Sequence, residues 1–173
     1  MKLVICEKPS VGAAVAAALG VTGKKDGYIE NDKYIISWCI GHLVQLSEAA
    51  AYGEQYRKWS YDSLPILPQE WQYTVAADKG KQFKILKDLM HRADVSEVVN
   101  ACDAGREGEL IFRFVYHQAG CKKPFTRLWI SSMETDAIRS GFEHLKDGRG
   151  YDTLYHSALC RAKADWLIGI NAT

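Results

Sequence analysis

Residues 95–119 read VSEVVNACDAGREGELIFRFVYHQA, and this stretch decides the fold. The short valine-rich run over residues 95–102 predicts a buried β-strand. The acidic segment that follows predicts a loop, and residues 110–119 predict a helix. Three carboxylates follow the end of the predicted strand: Asp103, Glu107 and Glu109. The stretch therefore predicts a strand, an acidic loop and a helix in succession.

The N-terminal segment repeats this arrangement. Residues 2–6 (KLVIC) predict a strand that is followed by Glu7. Residues 11–19 predict a helix with Ser10 as its N-cap and Gly20 just past its end. If the two strands are neighbours in one parallel sheet, their carboxyl ends place the acidic side chains at the same edge.

Strands and helices continue to alternate along the chain. Two β-rich runs, residues 28–30 and 33–40, flank Asn31-Asp32 and predict an antiparallel hairpin. The remaining predicted elements are a helix over 79–92, a strand over 125–130, a helix over 133–145 and a helix from 151 to about 169. Alternating strands and helices predict a doubly wound α/β fold, in which helices cover both faces of a parallel sheet.

The segment over residues 41–78 is less regular. Two prolines and a crowd of aromatic side chains predict a structured loop with some helix before Trp59. We expect the aromatic rings to pack this loop onto the core, rather than to stack on bases. We divide the chain into a domain over residues 1–150, with an insertion at about 21–78, and a helix over 151–173 that leads into a further, missing domain.

Composition restricts the classes of function. The 22 basic and 21 acidic residues give a net charge of +1, so no general attraction to nucleic acid or to an anionic membrane is expected. No apolar run is long enough to span a bilayer, and an early carboxylate interrupts any secretory leader, which predicts a soluble intracellular protein. The five scattered cysteines, without a C-x-x-C pair, favour neither a disulfide framework nor a zinc site.

The acidic loop has the composition of a phosphoryl-transfer site. Carboxylates without neighbouring histidine or thiolate favour Mg²⁺, with Mn²⁺ as a substitute. Gly105 and Gly108 would let the backbone turn tightly and present amides to a phosphate at the start of a helix. Arg106 could bind a phosphate oxygen, and Lys8 could neutralise a phosphate, although Lys8 could equally be an ordinary solvated cation. No nucleoside triphosphate or dinucleotide loop signature is present.

Five segments, in order along almost the whole chain, resemble the Toprim domain of type IA DNA topoisomerases, and the topoisomerase III branch most closely. They are residues 4–10 (VICEKPS), 41–43 (GHL), 59–71 around LPI, 103–109 (DAGREGE) and 161–169 (RAKADWLIG). The resemblance implies a Rossmann-like fold with about four parallel strands flanked by helices. It also implies Mg²⁺-dependent, ATP-independent cleavage of one DNA strand, strand passage and rejoining.

The resemblance assigns expected roles to individual residues. Glu7 matches a glutamate that takes part in proton transfer and metal binding, and Lys8 matches a lysine near the scissile phosphate. Asp103 and Glu107 match acids of the metal motif, and Arg106 matches the arginine within it. The expected catalytic residues are thus Glu7, Lys8 and Arg106, and the expected metal ligands are Glu7, Asp103 and Glu107.

Two further residues are candidates for DNA contact on the same resemblance. His42 lies in the GHL segment, although a lone histidine after an apolar strand is more often a hydrogen-bonded structural residue. Arg161 lies in the last matching segment, although a surface pair with Asp165 explains it without DNA.

The sequence departs from the family pattern at one acidic position. The family commonly has Asp-x-Asp-x-Glu, but Gly105 stands at the second acid. We expect a weak Mg²⁺ site that relies on Glu7, Glu109 or DNA phosphate oxygens for further ligands.

The family nucleophile cannot be assigned to any of the nine tyrosines in this chain. The chain alone is therefore expected to be inactive, with its chemistry completed by later domains of a longer protein. The expected partners are single-stranded or underwound DNA and those domains, in a monomer without a membrane association, in the bacterial cytoplasm. The alternatives are a Toprim primase or nuclease, or a DNA-binding module without chemistry.

Overall fold

The computed structural model describes residues 1–58 and 60–172. The strands are β1 (Lys2–Cys6), β2 (Gly23–Lys25), β3 (Tyr28–Glu30), β4 (Tyr34–Trp38), β5 (Val44–Leu46), β6 (Tyr73–Val75), β7 (Glu97–Ala101), β8 (Phe125–Arg127) and β9 (Lys146–Asp147). The α-helices are α1 (Pro9–Leu19), α2 (Gly80–His91), α3 (Arg106–Gln118), α4 (Thr135–Glu143) and α5 (Asp152–Asn171).

Seven strands form the central sheet in the order β2-β3-β4-β1-β7-β8-β9. The inner four, β4, β1, β7 and β8, run parallel. Strands β3 and β9 pair antiparallel with the two ends of this group, and β2 pairs antiparallel with β3. In this register Cys6 at the end of β1 lies between Trp38 and Ala101. The prediction of a parallel sheet of about four strands is confirmed, and antiparallel strands extend it at both edges.

Helices cover both faces of this sheet, as the alternation predicted. Leu3 and Ile5 of β1 point into the core that α2, α3 and α5 cover. Val4 and Cys6 point to the opposite face, where residues of α1 and α4 complete a second core. Because side chains alternate along a strand, a strand segment buried on both faces is apolar throughout, and this explains the continuous run LVIC over residues 3–6.

The predicted hairpin is present, as β3 and β4. The Asn31 side-chain oxygen accepts hydrogen bonds from the amides of Lys33 and Tyr34 at 2.9 and 2.8 Å, which closes the turn. Its second strand lies beside β1 in the centre of the sheet, so the hairpin is continuous with the parallel core. The domain boundaries remain a prediction.

Two helix starts differ from the sequence expectation. Lys8, rather than Ser10, is the N-cap of α1, because Pro9 occupies the first helical position, where a missing amide proton costs nothing. Helix α3 begins at Arg106, so the second half of the predicted acidic loop is helical. The predicted end of α1 is confirmed, since Gly20 adopts a left-handed conformation with φ of 68°.

The irregular segment contains a feature that the sequence did not reveal, the small antiparallel sheet of β5 and β6. Three short 3-10 turns (Ala49–Tyr52, Glu54–Tyr56 and Tyr61–Ser63) lie between these strands. The rings of Tyr52 and Trp71 pack edge-on against Trp166 of α5, as the packing expectation required. Trp59 lies outside the described residues.

Over residues 1–58 and 60–172, no helix has both the length and the apolar character needed to cross a membrane.

Candidate functional site

The connections of the sheet bring three loops together at one edge. The chain runs from β1 to its neighbour β4 on one side, and then returns to β7 on the other side of β1. The carboxyl ends of β1, β4 and β7 lead to Glu7, His42 and Asp103 respectively. A reversal of strand order opens a crevice at this edge, and ligands of doubly wound sheets bind there. We call Glu7, Asp103, Glu107 and His42 the acidic edge.

Glu7 lies at the centre of the acidic edge. Its Oε2 accepts a hydrogen bond from the backbone amide of Asp103 at 3.3 Å, which links the ends of β1 and β7 directly. Its side chain is only 12% exposed, and the Lys8 Nζ lies 3.9 Å from Oε1 with a side chain that is 57% exposed. The Glu7 carboxylate is therefore held in place, whereas the lysine ammonium is free to reach a bound anion.

The start of α3 supplies the next groups. Arg106 and Glu107 are the first two residues of the helix, and both are exposed. A helix N-terminus favours anions, because its first amides are unpaired and the helix dipole is positive there. The Arg106 guanidinium adds a positive charge to that end.

The two glycines of this segment have different roles. Gly105 is extended, with φ of 165°, and a Cβ at this position would meet no atom within 4 Å, so a larger side chain fits here. Gly108 lies against the backbone of Asp103, and a Cβ there would come within 2.0 Å of the Asp103 carbonyl oxygen. The expectation that both glycines serve a tight turn is thus wrong for Gly105, and Gly108 is required by close packing instead.

Glu107 completes the acidic edge with His42. The His42 Nε2 lies 3.4 Å from the Glu107 Oε2, and both side chains are largely exposed. The histidine backbone carbonyl accepts a hydrogen bond from Lys79 Nζ at 3.1 Å. The structure therefore places His42 beside the acids with its ring in solvent.

Glu109 is not part of the acidic edge, although the sequence suggested it as a further metal ligand. Its side chain is 1% exposed, and its Oε1 lies 2.6 Å from Nε of the fully buried Arg127. Arg113 Nε and Asn100 Nδ2 donate to the same carboxylate at 3.3 and 3.0 Å. Glu109 is two positions beyond Glu107 on the helix and so faces the core. We call Asn100, Glu109, Arg113 and Arg127 the buried charge network.

Burial and charge act in opposite directions on this network. Burial raises the pKa of the Glu109 carboxyl, and the charges of Arg127 and Arg113 oppose that rise. Burial likewise lowers the pKa of Arg127, and the carboxylate of Glu109 opposes that change. Each charge is tolerated in the core because the other is present.

The donor atoms of the acidic edge fit Mg²⁺ or Mn²⁺ in chemistry. Glu7, Asp103 and Glu107 offer hard oxygen ligands around one crevice. Among residues 1–58 and 60–172, however, no group of three or more histidine, cysteine, aspartate or glutamate side chains is assembled closely enough to hold a metal ion. The edge thus has the ligand types without a finished cage, and the metal site remains a prediction.

Arg161 lies on α5, outside the acidic edge. Its Nε is 3.7 Å from Asp165 one turn along the helix, which is the predicted surface pair. A cavity of about 310 Å³ lies between His42 and the same helix, and Ala162 and Trp166 line its far side.

Arg127 was missed by the sequence reasoning. The signal was an arginine in the middle of a predicted strand, in the run FTRLWI, where a parallel sheet should be apolar. The structure buries this arginine completely at the end of β8, directly below the acidic edge.

Comparison with known proteins gives consistent results. Residues 2–133 match the family model described as Toprim domain. DNA topoisomerase 3 of Shouchella clausii is 49% identical over 172 residues, and that of Bacillus subtilis is 47% identical over 171 residues. Each match covers 99% of this chain and 24% of the relative, so the chain spans about a quarter of their length.

A solved structure supports the fold. Full-length topoisomerase I from Thermotoga maritima superposes with a TM-score of 0.54 at 19% identity, over 84% of this chain and 21% of that protein.

Proposed function

Since this chain belongs to the Toprim domain family, we propose that it supplies the metal-binding and phosphate-binding part of a type IA DNA topoisomerase of the topoisomerase III kind. The observation that carries the proposal is the contact between Glu7 and the amide of Asp103 at 3.3 Å, at the crevice of the sheet. It joins the two acidic loops into one site. The names of the relatives, DNA topoisomerase 3, point to the same activity.

Glu7 and two cations divide the chemistry at the phosphate. Glu7 is held by a backbone amide and lies within 3.9 Å of an ammonium, so it can carry a proton to or from an oxygen of the cleaved strand. Lys8 and Arg106 flank the crevice with exposed positive charges, and they bind the oxygens of the scissile phosphate.

Glu7, Asp103 and Glu107 would hold Mg²⁺, or Mn²⁺ in its place. When bound, the ion neutralises charge on the phosphate and orients it for displacement. The three carboxylates are not assembled as a cage, and Gly105 withholds a further acid, so DNA phosphate oxygens complete the ligand set. Metal and DNA thus bind together, each strengthening the other.

The remaining parts of the reaction belong to the rest of the longer protein. A tyrosine hydroxyl of another domain loses its proton and attacks the phosphorus, the P–O3′ bond breaks, and the 3′ oxygen leaves as a protonated hydroxyl. The 5′-phosphotyrosyl link conserves the bond for rejoining without ATP, when the 3′ hydroxyl attacks in reverse. His42 and Arg161 contribute weaker contacts to single-stranded or underwound DNA. We place this monomeric enzyme in the bacterial cytoplasm, on chromosomal or mobile-element DNA.

A relaxation and cleavage assay tests the proposal. Negatively supercoiled plasmid is incubated with Mg²⁺ and without ATP, using the full-length protein, its Glu7→Ala variant and the 173-residue chain. Asp88→Ala is the matched control, because it removes an exposed carboxylate from α2, away from the acidic edge. We expect relaxation and a covalent protein–DNA adduct with the wild-type protein and with Asp88→Ala only.

Two outcomes would contradict the proposal. Hydrolysis of DNA by the 173-residue chain itself would identify a Toprim nuclease. DNA binding without cleavage by the full-length protein would identify a binding module.

A further inference from the structure

The side chain of Arg127 binds backbone carbonyls just after the end of β7, next to the acidic edge. We propose that it is a positioning residue that holds the end of β7 and thereby fixes Asp103 for metal binding. The inference rests on the proposed function, because it gives Arg127 a purpose at that site. It concerns a residue that touches neither the metal nor the DNA.

The guanidinium of Arg127 is spread over backbone carbonyls. Its Nη1 donates to the carbonyl of Cys102 at 2.5 Å, and its Nη2 donates to that of Asp103 at 2.7 Å. Nη1 also lies 3.2 Å from the carbonyl of Asn100 and 3.0 Å from that of Leu128. Three of these four acceptors belong to the end of β7 and the residues that follow it. Carbonyls in these positions require a rigid, forked donor, and arginine is the side chain that provides one.

The third guanidinium nitrogen, Nε, faces a negative charge but does not form an aligned hydrogen bond with any described residue. Arg127 Nε lies 2.6 Å from Glu109 Oε1, but the N–H is not aligned with an acceptor among the described residues. Glu109 therefore acts here as a counter-ion that makes the buried guanidinium tolerable. Its placement on α3 also ties the start of that helix to β8.

Asn100 joins the same assembly to the strand. Its Nδ2 donates to Glu109 at 3.0 Å, and its Oδ1 accepts from the amide of Cys102 at 3.1 Å. The backbone at the end of β7 is thus held through both its amide and its carbonyl groups. A hydrophobic core would fill the same volume, but it would not satisfy these groups.

The backbone of Asp103 is consequently held through both its amide and its carbonyl group. Its carbonyl accepts from Arg127, and its amide donates to Glu7. Its carboxylate is exposed, so the side chain gains its direction from the backbone alone. Loss of the Arg127 guanidinium frees the Asp103 carbonyl, while Glu7 itself stays in place.

The test compares Arg127→Lys with Arg113→Lys in the full-length protein. Lysine keeps the buried charge in both variants and removes the fork. Arg113 is the matched control, since it contacts the same Glu109, but its other partners are Asp152 and the carbonyl of Gly148. The first readout is the Mg²⁺ concentration that gives half-maximal DNA cleavage. The second is the Mn²⁺ dissociation constant, measured by electron paramagnetic resonance. The third is the rate of amide hydrogen exchange of residues 102–106, measured without metal.

We expect Arg127→Lys to raise both the half-saturating Mg²⁺ concentration and the Mn²⁺ dissociation constant about tenfold. We also expect it to speed the amide hydrogen exchange of residues 102–106. Arg113→Lys should stay within twofold on all three readouts at a comparable loss of thermal stability. Equal shifts in both variants would show a general structural role and overturn the inference, as would no shift in Arg127→Lys.

A second variant covers the case in which Arg127→Lys does not fold. Glu109→Leu combined with Arg127→Met removes the buried Arg127–Glu109 ion pair as a unit, which proteins often tolerate, and Arg113 keeps its ion pair with Asp152 at 2.7 Å. The same three readouts and the same outcomes apply to it. If the wild-type protein does not cleave DNA, the proposed function fails, while hydrogen exchange and Mn²⁺ binding still decide whether Arg127 positions Asp103.

Discussion

Glu107 and Glu109 stand two residues apart at the start of α3 and lie in opposite environments. Glu107 is 64% exposed and lies beside the exposed ring of His42, whereas Glu109 is 1% exposed and contacts two arginines. Two positions on a helix are about 200° apart, so adjacent acids of one motif face opposite sides. The acidic edge and the buried charge network are therefore built from the same short segment.

In the proposed function, the acidic edge takes part in the chemistry, whereas the buried charge network supports it. Asp103 and Glu107 of the acidic edge are exposed and Glu7 is partly buried, an arrangement that suits the proposed site, where further metal ligands come with the DNA. The side chains of the buried charge network are at most 5% exposed, and their charges balance one another together with Asp152. Its effect on the site passes through the backbone of β7.

The largest expected effect separates the two glutamates by stability. Glu109→Gln should lower the free energy of unfolding by about 3–5 kcal/mol, because it leaves the buried Arg127 guanidinium without its counter-ion and takes a carboxylate partner from Arg113, which keeps Asp152. Glu107→Gln should change it by less than about 0.5 kcal/mol, since this side chain is exposed. Urea unfolding of both variants measures the difference, and equal losses would show that the two acids share one environment.

The next effect concerns Gly108, where the start of α3 packs against the backbone of Asp103. Gly108→Ala should cost about 1–3 kcal/mol, because the added Cβ meets the Asp103 carbonyl at 2.0 Å and displaces it. It should also weaken Mg²⁺ activation of DNA cleavage. Gly105→Ala is the control, since open space surrounds that position. A neutral result for Gly108→Ala in both urea unfolding and cleavage would refute the close packing.

A smaller effect should strengthen the acidic edge. Gly105→Asp places a carboxylate at the position where the family pattern has its second acid, and the structure leaves room for it. We expect Mg²⁺ affinity, measured by calorimetry on the full-length protein, to rise severalfold. Gly105→Asn provides the neutral control and should not raise it. Submicromolar Mg²⁺ binding by the unaltered 173-residue chain would contradict the weak site from which this prediction starts.

The smallest effect probes how far the charge of the network extends. Burial and the charge of Arg113 lower the pKa of His117, one turn further along α3, below its ordinary value of 6.5. Protons then bind the unfolded chain more tightly than the folded one, so stability should fall as pH drops below about 6.5. His117→Gln should flatten this decline in urea unfolding between pH 7 and 5. His91→Gln, at an exposed histidine of α2, is the control. If this variant flattened the pH profile of stability equally, the decline could not be assigned to His117.

Much of the architecture was accessible from local pattern. The apolar runs of β1 and β7, the hairpin around Asn31 and the end of α1 at Gly20 are where the sequence placed them, because burial and turn chemistry act over a few residues. The sheet of β5 and β6 was not predicted, since its strands are three residues long and about 26 residues apart. Their pairing depends on a contact that no local pattern encodes.

The candidate site divides in the same way. Local sequence identified Glu7, Asp103 and Glu107 as acids that follow strands, and it supplied the resemblance that assigns their roles. Tertiary structure alone decided that Glu109 turns inward and that Arg127, eighteen positions further along, comes within 2.6 Å of it. Helix phase and strand order set these positions, and both are properties of the packed sheet rather than of any one segment.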